Sequence, residues 1–262
     1  MSLIHKSAII DSRAELDSSV SVGPYTVIGA GVRVGAQTAI GAHCVVEGPL
    51  SIGRDNRFFP FCSIGAAPQD KKYAGEPTEL EIGDGNTVRE FVTMNRGTAQ
   101  GGGTTRVGDD NWIMAYVHVA HDCQIGNHTI LANTTNLAGH VEIGDWAILG
   151  GYTGVHQFCK IGAHAMSAVG TVVLHDIPPF VMVSGNSAEA HGINTEGLRR
   201  RGFSAERIQA LRRAYRTIYK AGLTLEQARK DLRASAALAE QTAPDLLLLA
   251  DFLDGVTRGI VR

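Results

Sequence analysis

The stretch Val107-Gly-Asp-Asp-Asn-Trp-Ile113-Met-Ala-Tyr-Val-His-Val119-Ala-His-Asp-Cys-Gln-Ile125 places an aliphatic residue at every sixth position. The column continues through Leu131, Leu137, Ile143, Leu149, Val155, Ile161 and Val173, with Ser167 its one interruption. A column of the same period, one residue out of phase with this one, runs from Ile4 and Ile10 through Ile40, Ile52 and Phe58 to Ile64. A period of six is neither the roughly 3.6 of a helix nor plain strand alternation. It marks a solenoid in which each hexad is a short strand and a turn. Three flat sides are the fewest that enclose a core, so three hexads close one triangular coil. Residues eighteen apart then lie about 4.8 Å above one another. Glycine directly follows several ribs, at Gly23, Gly29, Gly35, Gly41 and Gly53, where a corner is expected to need unusual backbone angles.

Composition fits a frequently turning, well-packed chain. Of 262 residues, 31 are glycine and 44% are apolar, which excludes disorder, and a net charge of −2 lacks the basic signature of a nucleic-acid binder. No apolar run is long enough to span a bilayer and the N-terminus has no secretory h-region, so the expected location is the cytoplasm. Cys44, Cys62, Cys123 and Cys159 each stand four residues after a rib, in a column otherwise filled by Ala, Val and Thr. They read as small inward-facing thiols of a reducing compartment.

Two polar excursions, near 65–79 and 95–106, interrupt the rod. Ile82 resumes eighteen residues after Ile64, so the first excursion is expected to replace part of one coil. The second breaks the phase, since Val107 follows Met94 by thirteen. Excursions from a rigid scaffold are natural carriers of binding groups, or else caps on a neighbouring subunit. The rod is expected to end near Asp176-Ile-Pro-Pro179, where paired prolines withdraw ladder donors. A connector over 180–203 leads to helical spacing after Ser204, a capping box at Thr224 and Gln227, and a further helix opened by Pro244. The chain divides into a rod over 1–191 and a helical domain over 192–262.

The eighteen-residue coil turns spacing into proximity. His121, the pair Gly139-His140 and the pair His156-Gln157 occupy successive levels of one edge, with His118 half a hexad from His121. His43, His128, His164 and His175 read as ordinary surface or core histidines. Two chemistries compete for the cluster: a zinc site with an open position, and general-base catalysis on a hydroxyl or amine attacking an acyl group. The adjacent carboxylate in His121-Asp122 favours the second, and Gly139 is a candidate backbone donor to an oxyanion. With no serine-nucleophile elbow, direct transfer without an acyl-enzyme is the simpler scheme.

Five segments carry a family resemblance: His118-Val-Ala-His-Asp-Cys123, Leu137-Ala-Gly-His140, Val155-His-Gln-Phe158, Pro68-Gln-Asp-Lys-Lys-Tyr-Ala-Gly-Glu-Pro-Thr78 and Asn194-Thr-Glu-Gly-Leu-Arg-Arg-Arg-Gly-Phe203. Together they resemble the bacterial UDP-N-acetylglucosamine O-acyltransferases of lipid A synthesis, within the hexapeptide-repeat superfamily, over essentially the whole chain. The resemblance implies a mainly β fold, a left-handed parallel β-helix with a C-terminal α-helical domain, assembled as a homotrimer with active sites between subunits. It implies transfer of an (R)-3-hydroxyacyl group from acyl carrier protein to the glucosamine 3-hydroxyl of UDP-N-acetylglucosamine, the first step of lipid A biosynthesis. No separate cofactor is implied beyond the carrier's phosphopantetheine. By matching, His121 is the general base, Asp122 its supporting carboxylate and Gly139 the oxyanion donor. Asp70, Lys72, His118, His140, His156 and Gln157 line the substrate site, while Asn194, Glu196, Arg200 and Arg201 lie where the family handles the nucleotide. Asn95 departs from the histidine of the family's familiar member. Ala168-Val169-Gly170 fall where the family sets acyl length, and Val169, bulkier than glycine, predicts a chain of fewer than fourteen carbons. For docking the acidic carrier, Arg199 to Arg201, Arg207, Arg212, Arg213, Arg216 and Lys220 form a basic concentration.

Three other readings stand beside this one. An N-acyltransferase of the same pathway is disfavoured because the rod begins at Ile4, without an added N-terminal domain. A zinc-dependent hydratase on this fold needs three histidines converging on metal across a subunit boundary. A non-catalytic binding rod leaves Asp70, His121 and the arginine run together without a reason.

Overall fold

The computed structural model describes residues 3–262; the first two residues of the expected rod lie outside this range. Among the described residues, short parallel strands stack into sheets of nine, eight and ten strands, the three faces of a left-handed β-helix. In chain order, the nine-stranded sheet is the first face, the eight-stranded sheet the second and the ten-stranded sheet the third. Residues eighteen apart pair directly, as in His118 with Asn136 and Gln124 with Glu142. The ribs fill the interior: Ile28, Ile64, Met94, Val119, Leu137 and Leu149 are all buried. Each is worth about 1.5–3 kcal/mol of transfer free energy. Ser167, the polar rib, is equally buried, and its hydroxyl is satisfied by Thr153 Oγ1 at 2.8 Å and the Gly150 N–H at 3.1 Å. The four cysteines are buried free thiols, in the inward column where their spacing puts them.

The corners differ from expectation. The left-handed residue stands three places after the rib and is usually not glycine: Tyr25, His43, Phe61, Asp122, His140 and Phe158 all have φ between 57° and 65°. Glycine after the rib serves close approach. A Cβ on Gly23 would lie 2.7 Å from the Ala42 nitrogen, and one on Gly35 would lie 2.8 Å from the Gly53 carbonyl carbon.

Both excursions leave the edge between the first and second faces. Ile82 pairs with Ile52 rather than stacking on Ile64, and Val107 pairs with Ile82. Each excursion is therefore an insertion at a corner and replaces no strand, contrary to the expected substitution of part of a coil. Asn95 fastens the first insertion to the rod, its Nδ2 donating to the Ala67 carbonyl at 2.9 Å.

The rod does not stop at the prolines. Gly162 donates to the Ile177 carbonyl ahead of them, and Val181–Ser184 adds one more parallel rung against Met166–Ser167. Glu189–Ile193 then turns back antiparallel. A short helix inside the expected connector, α1 (Thr195–Arg200), is capped by Asn194, whose Oδ1 accepts from the Gly197 N–H. Three longer helices follow: α2 (Ala205–Tyr219) capped by Ser204, α3 (Leu225–Ala237) with the Thr224–Gln227 capping box, and α4 (Ala243–Asp254) with proline in its first turn. Their apolar faces meet in a second core containing Leu198, Leu211, Leu232 and Leu249, which Phe180 joins from the rod. None of the described helices is long and apolar enough to cross a membrane.

Candidate active site

The edge between the first and second faces collects most of the residues singled out in the sequence. Val119 and Ile125 are inward ribs on adjoining faces, so the four residues between their two strands, His118–Val119 and Gln124–Ile125, form the corner, and His121 and Asp122 must stand on the rod's rim. His121 Nδ1 lies 2.8 Å from Asp122 Oδ2. A carboxylate only accepts, so Nδ1 carries a proton, and in the neutral ring Nε2 keeps the lone pair. Nε2 has no hydrogen-bond partner among the described residues. One coil up, Gly139 lies directly against the ring: a Cβ there would be 2.5 Å from His121 Cε1 and 2.8 Å from Nε2. The Gly139 N–H is taken by no acceptor among the described residues.

Asp122 is held from the other side by the second insertion. Its side chain is fully buried, accepting from the Thr98 backbone N–H at 2.8 Å and from Thr98 Oγ1 at 2.6 Å. Its own N–H donates to Thr105 Oγ1 at 2.7 Å. Gly101 packs so closely on the carboxylate that any side chain would collide with it. The insertion is thus a clamp that orients the carboxylate, which in turn fixes the tautomer of His121.

The remaining histidines play unequal parts. His140 stacks on Phe158 with ring centroids 4.4 Å apart and meets His121 edge-on at 5.2 Å. Burial lowers its pKa, with His121 adding to the fall and Asp122 and Asp70 opposing it, so the first insertion brings Asp70 within electrostatic reach. His118 points outward from the first face, its Nδ1 2.7 Å from Thr93 Oγ1, and burial, aided by His121, lowers its pKa too. His156 is exposed and turned to the Gln157 carbonyl at 3.1 Å, while Lys72 is exposed on the first insertion. His121, Asp122 and His140 bring ligand atoms within 4.8 Å of one another, the arrangement a metal reading would use. Asp122 Oδ2, the oxygen that faces both imidazoles, already accepts from Thr98 Oγ1 and His121 Nδ1, however, and a cation at that oxygen would have to displace one of them.

Asn194, Glu196, Arg200 and Arg201 are not on this edge. Asn194 Nδ2 donates to the His164 carbonyl at 3.1 Å, and Glu196 pairs with Arg200 at 3.1 Å. Arg201 Nη2 donates to the Trp146 carbonyl at 2.9 Å, which places it on the edge between the second and third faces. Val169 and the left-handed Gly170 stand on the remaining edge, and Val169 is 73% exposed.

Residues 104–139 match the bacterial transferase hexapeptide family of six repeats, and residues 176–261 match the second domain of UDP-N-acetylglucosamine O-acyltransferase. An acyl-[acyl-carrier-protein]–UDP-N-acetylglucosamine O-acyltransferase of Herminiimonas arsenicoxydans is 59% identical over the full length of both chains, and one of Janthinobacterium sp. (strain Marseille) is 61% identical over the same span. The chain belongs to this family. Solved structures concur: LpxA from Acinetobacter baumannii aligns with a TM-score of 0.96 at 47% identity, covering 99% of this chain and 100% of that one.

Within this acyltransferase, the clamp on Asp122 is what the sequence reading missed. Thr98 lies 24 residues from Asp122, across an out-of-phase insertion, so hexad counting cannot bring them together. The one signal is compositional: Thr98-Ala-Gln-Gly-Gly-Gly-Thr-Thr105 combines hydroxyls with glycines able to approach a buried group. Thr98→Val keeps the shape and removes one donor to a carboxylate. It is expected to lower kcat about tenfold, the scale of one hydrogen bond to a charged group. Thr98→Ser, which also retains the hydroxyl's bond to the Gly101 N–H, is expected to recover most of it. Steady-state kinetics of the two variants decide the matter: a wild-type kcat in Thr98→Val removes the clamp from catalysis.

Proposed function

We propose that the protein transfers an (R)-3-hydroxyacyl group from acyl carrier protein to the glucosamine 3-hydroxyl of UDP-N-acetylglucosamine in one step, opening lipid A biosynthesis in the cytoplasm. The observation that carries this reading is the His121–Asp122 pair at 2.8 Å with an unengaged Nε2 beside Gly139. As the 3-hydroxyl oxygen attacks the thioester carbonyl, its proton passes to Nε2, and Asp122 stabilises the resulting imidazolium. The carbonyl oxygen becomes an oxyanion received by the Gly139 N–H. Collapse breaks the carbon–sulfur bond, and the imidazolium returns its proton to the departing pantetheine thiolate. No group of the protein is acylated, and no cofactor beyond the carrier's phosphopantetheine takes part.

Asp70, Lys72, His118, His140, His156 and Gln157 surround the reacting groups, and Asn194, Glu196, Arg200 and Arg201 serve the nucleotide. In a single chain the second face separates His121 from Arg201. A site using both therefore needs His121 of one copy and Arg201 of another, which supports a homotrimer with sites between subunits. Acyl carrier protein docks on the exposed basic residues of the helical domain, Arg212, Arg213, Arg216 and Lys220 among them. Arg207 is not available for this role, being bidentate to the buried Asp245 at 2.7 and 2.8 Å.

An acyl chain whose carbonyl is at His121 reaches Val169 by crossing the first face, where Gly154 leaves open space. With Val169 at its far edge, the groove accepts fewer than fourteen carbons. Assays with carrier proteins bearing ten-, twelve- and fourteen-carbon 3-hydroxyacyl chains are expected to favour one of the shorter two, and Val169→Gly to shift the preference longer. A wild-type preference for fourteen carbons would remove Val169 as the ruler. No transfer to UDP-N-acetylglucosamine with any chain, together with stoichiometric zinc in the purified protein, would favour the hydratase reading instead.

A further inference from the structure

Arg201 is fastened to the edge between the second and third faces by three contacts. Its Nη2 donates to the Trp146 carbonyl, its guanidinium lies 5.4 Å over the Trp146 ring, and its Nη1 is 3.3 Å from His164 Nδ1. His164 stands on a left-handed corner with φ of 60°, one coil above Trp146. Its ring lies parallel to that indole at 6.4 Å and to Phe180 at 5.3 Å, with Phe203 edge-on at 5.2 Å. A guanidinium has donors and no acceptor, so the Nη1 contact runs one way: His164 Nδ1 accepts, and the ring proton sits on Nε2. An imidazolium would have no lone pair to offer and would set a second positive charge against the first. The surroundings keep the ring neutral. Burial, with Arg201 and Arg207 adding to it and Asp245 and Asp145 opposing, pushes the pKa of His164 down to about 4.

We propose that His164 is a positioning residue for the nucleotide end of the acceptor: it holds one limb of the Arg201 fork so that the remaining N–H donors are presented to the diphosphate. Arginine suits that task because its fork matches phosphate oxygens, but a free side chain loses rotamer entropy on binding. The His164 acceptor and the Trp146 shelf order it beforehand. This inference rests on the reading that Arg201 serves the nucleotide of UDP-N-acetylglucosamine.

Two substitutions separate the acceptor from the stack. Phenylalanine already occupies the same left-handed corner at Phe61, Phe91, Phe158 and Phe180, so His164→Phe keeps the conformation and the ring while deleting the lone pair. His164→Asn tolerates the left-handed corner and offers a carbonyl oxygen near the place of Nδ1. With full-length purified enzyme, His164→Phe is expected to raise KM for UDP-N-acetylglucosamine about tenfold, the scale of a lost hydrogen bond to a charged group. The kcat at saturation and KM for the acyl carrier protein stay within about twofold, the pattern of lost uniform binding. His164→Asn recovers KM to within about threefold of wild type. An unchanged KM for the nucleotide sugar in His164→Phe would overturn the proposal. So would equal losses in kcat and both KM values that Asn does not relieve, since these report a structural role. Failure of the wild-type protein to acylate UDP-N-acetylglucosamine would overturn the parent reading, and this one with it.

Discussion

Replacing His121 by alanine is expected to lower acyl transfer about 10²–10⁴-fold, the range associated with loss of a positioned general base. The ring sits on the rim of the rod with 16% of its side chain exposed, away from the column of ribs, so its removal opens no core cavity. Asp122 keeps both Thr98 donors in the variant and is not left as an unpaired buried charge. The loss therefore falls on kcat while the β-helix stays folded. Initial rates at saturating acyl carrier protein and UDP-N-acetylglucosamine, with circular dichroism as the check on folding, measure it. A loss smaller than about tenfold would remove His121 as the base.

Gly139→Ala is expected to have the next largest effect, about 10²-fold on kcat. The new methyl would lie 2.5 Å from His121 Cε1, 2.8 Å from Nε2 and 3.1 Å from Nδ1. Carbon atoms in contact rest about 3.5–4.0 Å apart, so the imidazole must move by about 1 Å. That displacement stretches the 2.8 Å bond to Asp122 and carries Nε2 away from the attacking hydroxyl. The backbone N–H survives the substitution, so a loss here reports the position of the base rather than the oxyanion donor. Steady-state kinetics should show kcat falling with KM for both substrates little changed. A variant keeping more than about half the wild-type rate would mean that the ring has slack and that its close stacking on residue 139 is without catalytic consequence.

The residues of the His121 edge were legible in the sequence because hexads act as a ruler. His121 and Gly139 are eighteen apart, and the structure lays one against the other. The same ruler misreads the insertions, since a six-residue beat counts rungs without labelling faces. Ile82 is in phase with both Ile64 and Ile52, and only the strand pairing selects Ile52. Contacts across an out-of-phase loop, such as Thr98 to Asp122, leave no spacing signal. Contacts between the rod and the helical domain are equally hidden: His164 reads as ordinary until Arg201 folds back from 37 residues away. The corner conformation was hidden for a different reason. Side chains at left-handed positions are stabilised by stacking on the coil above, as in the ladder Tyr25, His43, Phe61, Phe91 and Tyr116 with ring centroids 4.9–5.2 Å apart. Glycine is therefore not required there, and its placement after the rib marks backbone contact instead.

One-step transfer to the sugar nucleotide on the His121 edge is tested most directly by rapid quench of the purified protein with UDP-N-acetylglucosamine and carrier protein bearing a labelled (R)-3-hydroxyacyl chain. Label is expected to leave the carrier and arrive as an ester on the glucosamine 3-hydroxyl, with none on the protein at any time. Label accumulating on the protein before it reaches the sugar, or never reaching UDP-N-acetylglucosamine, would overturn the assignment.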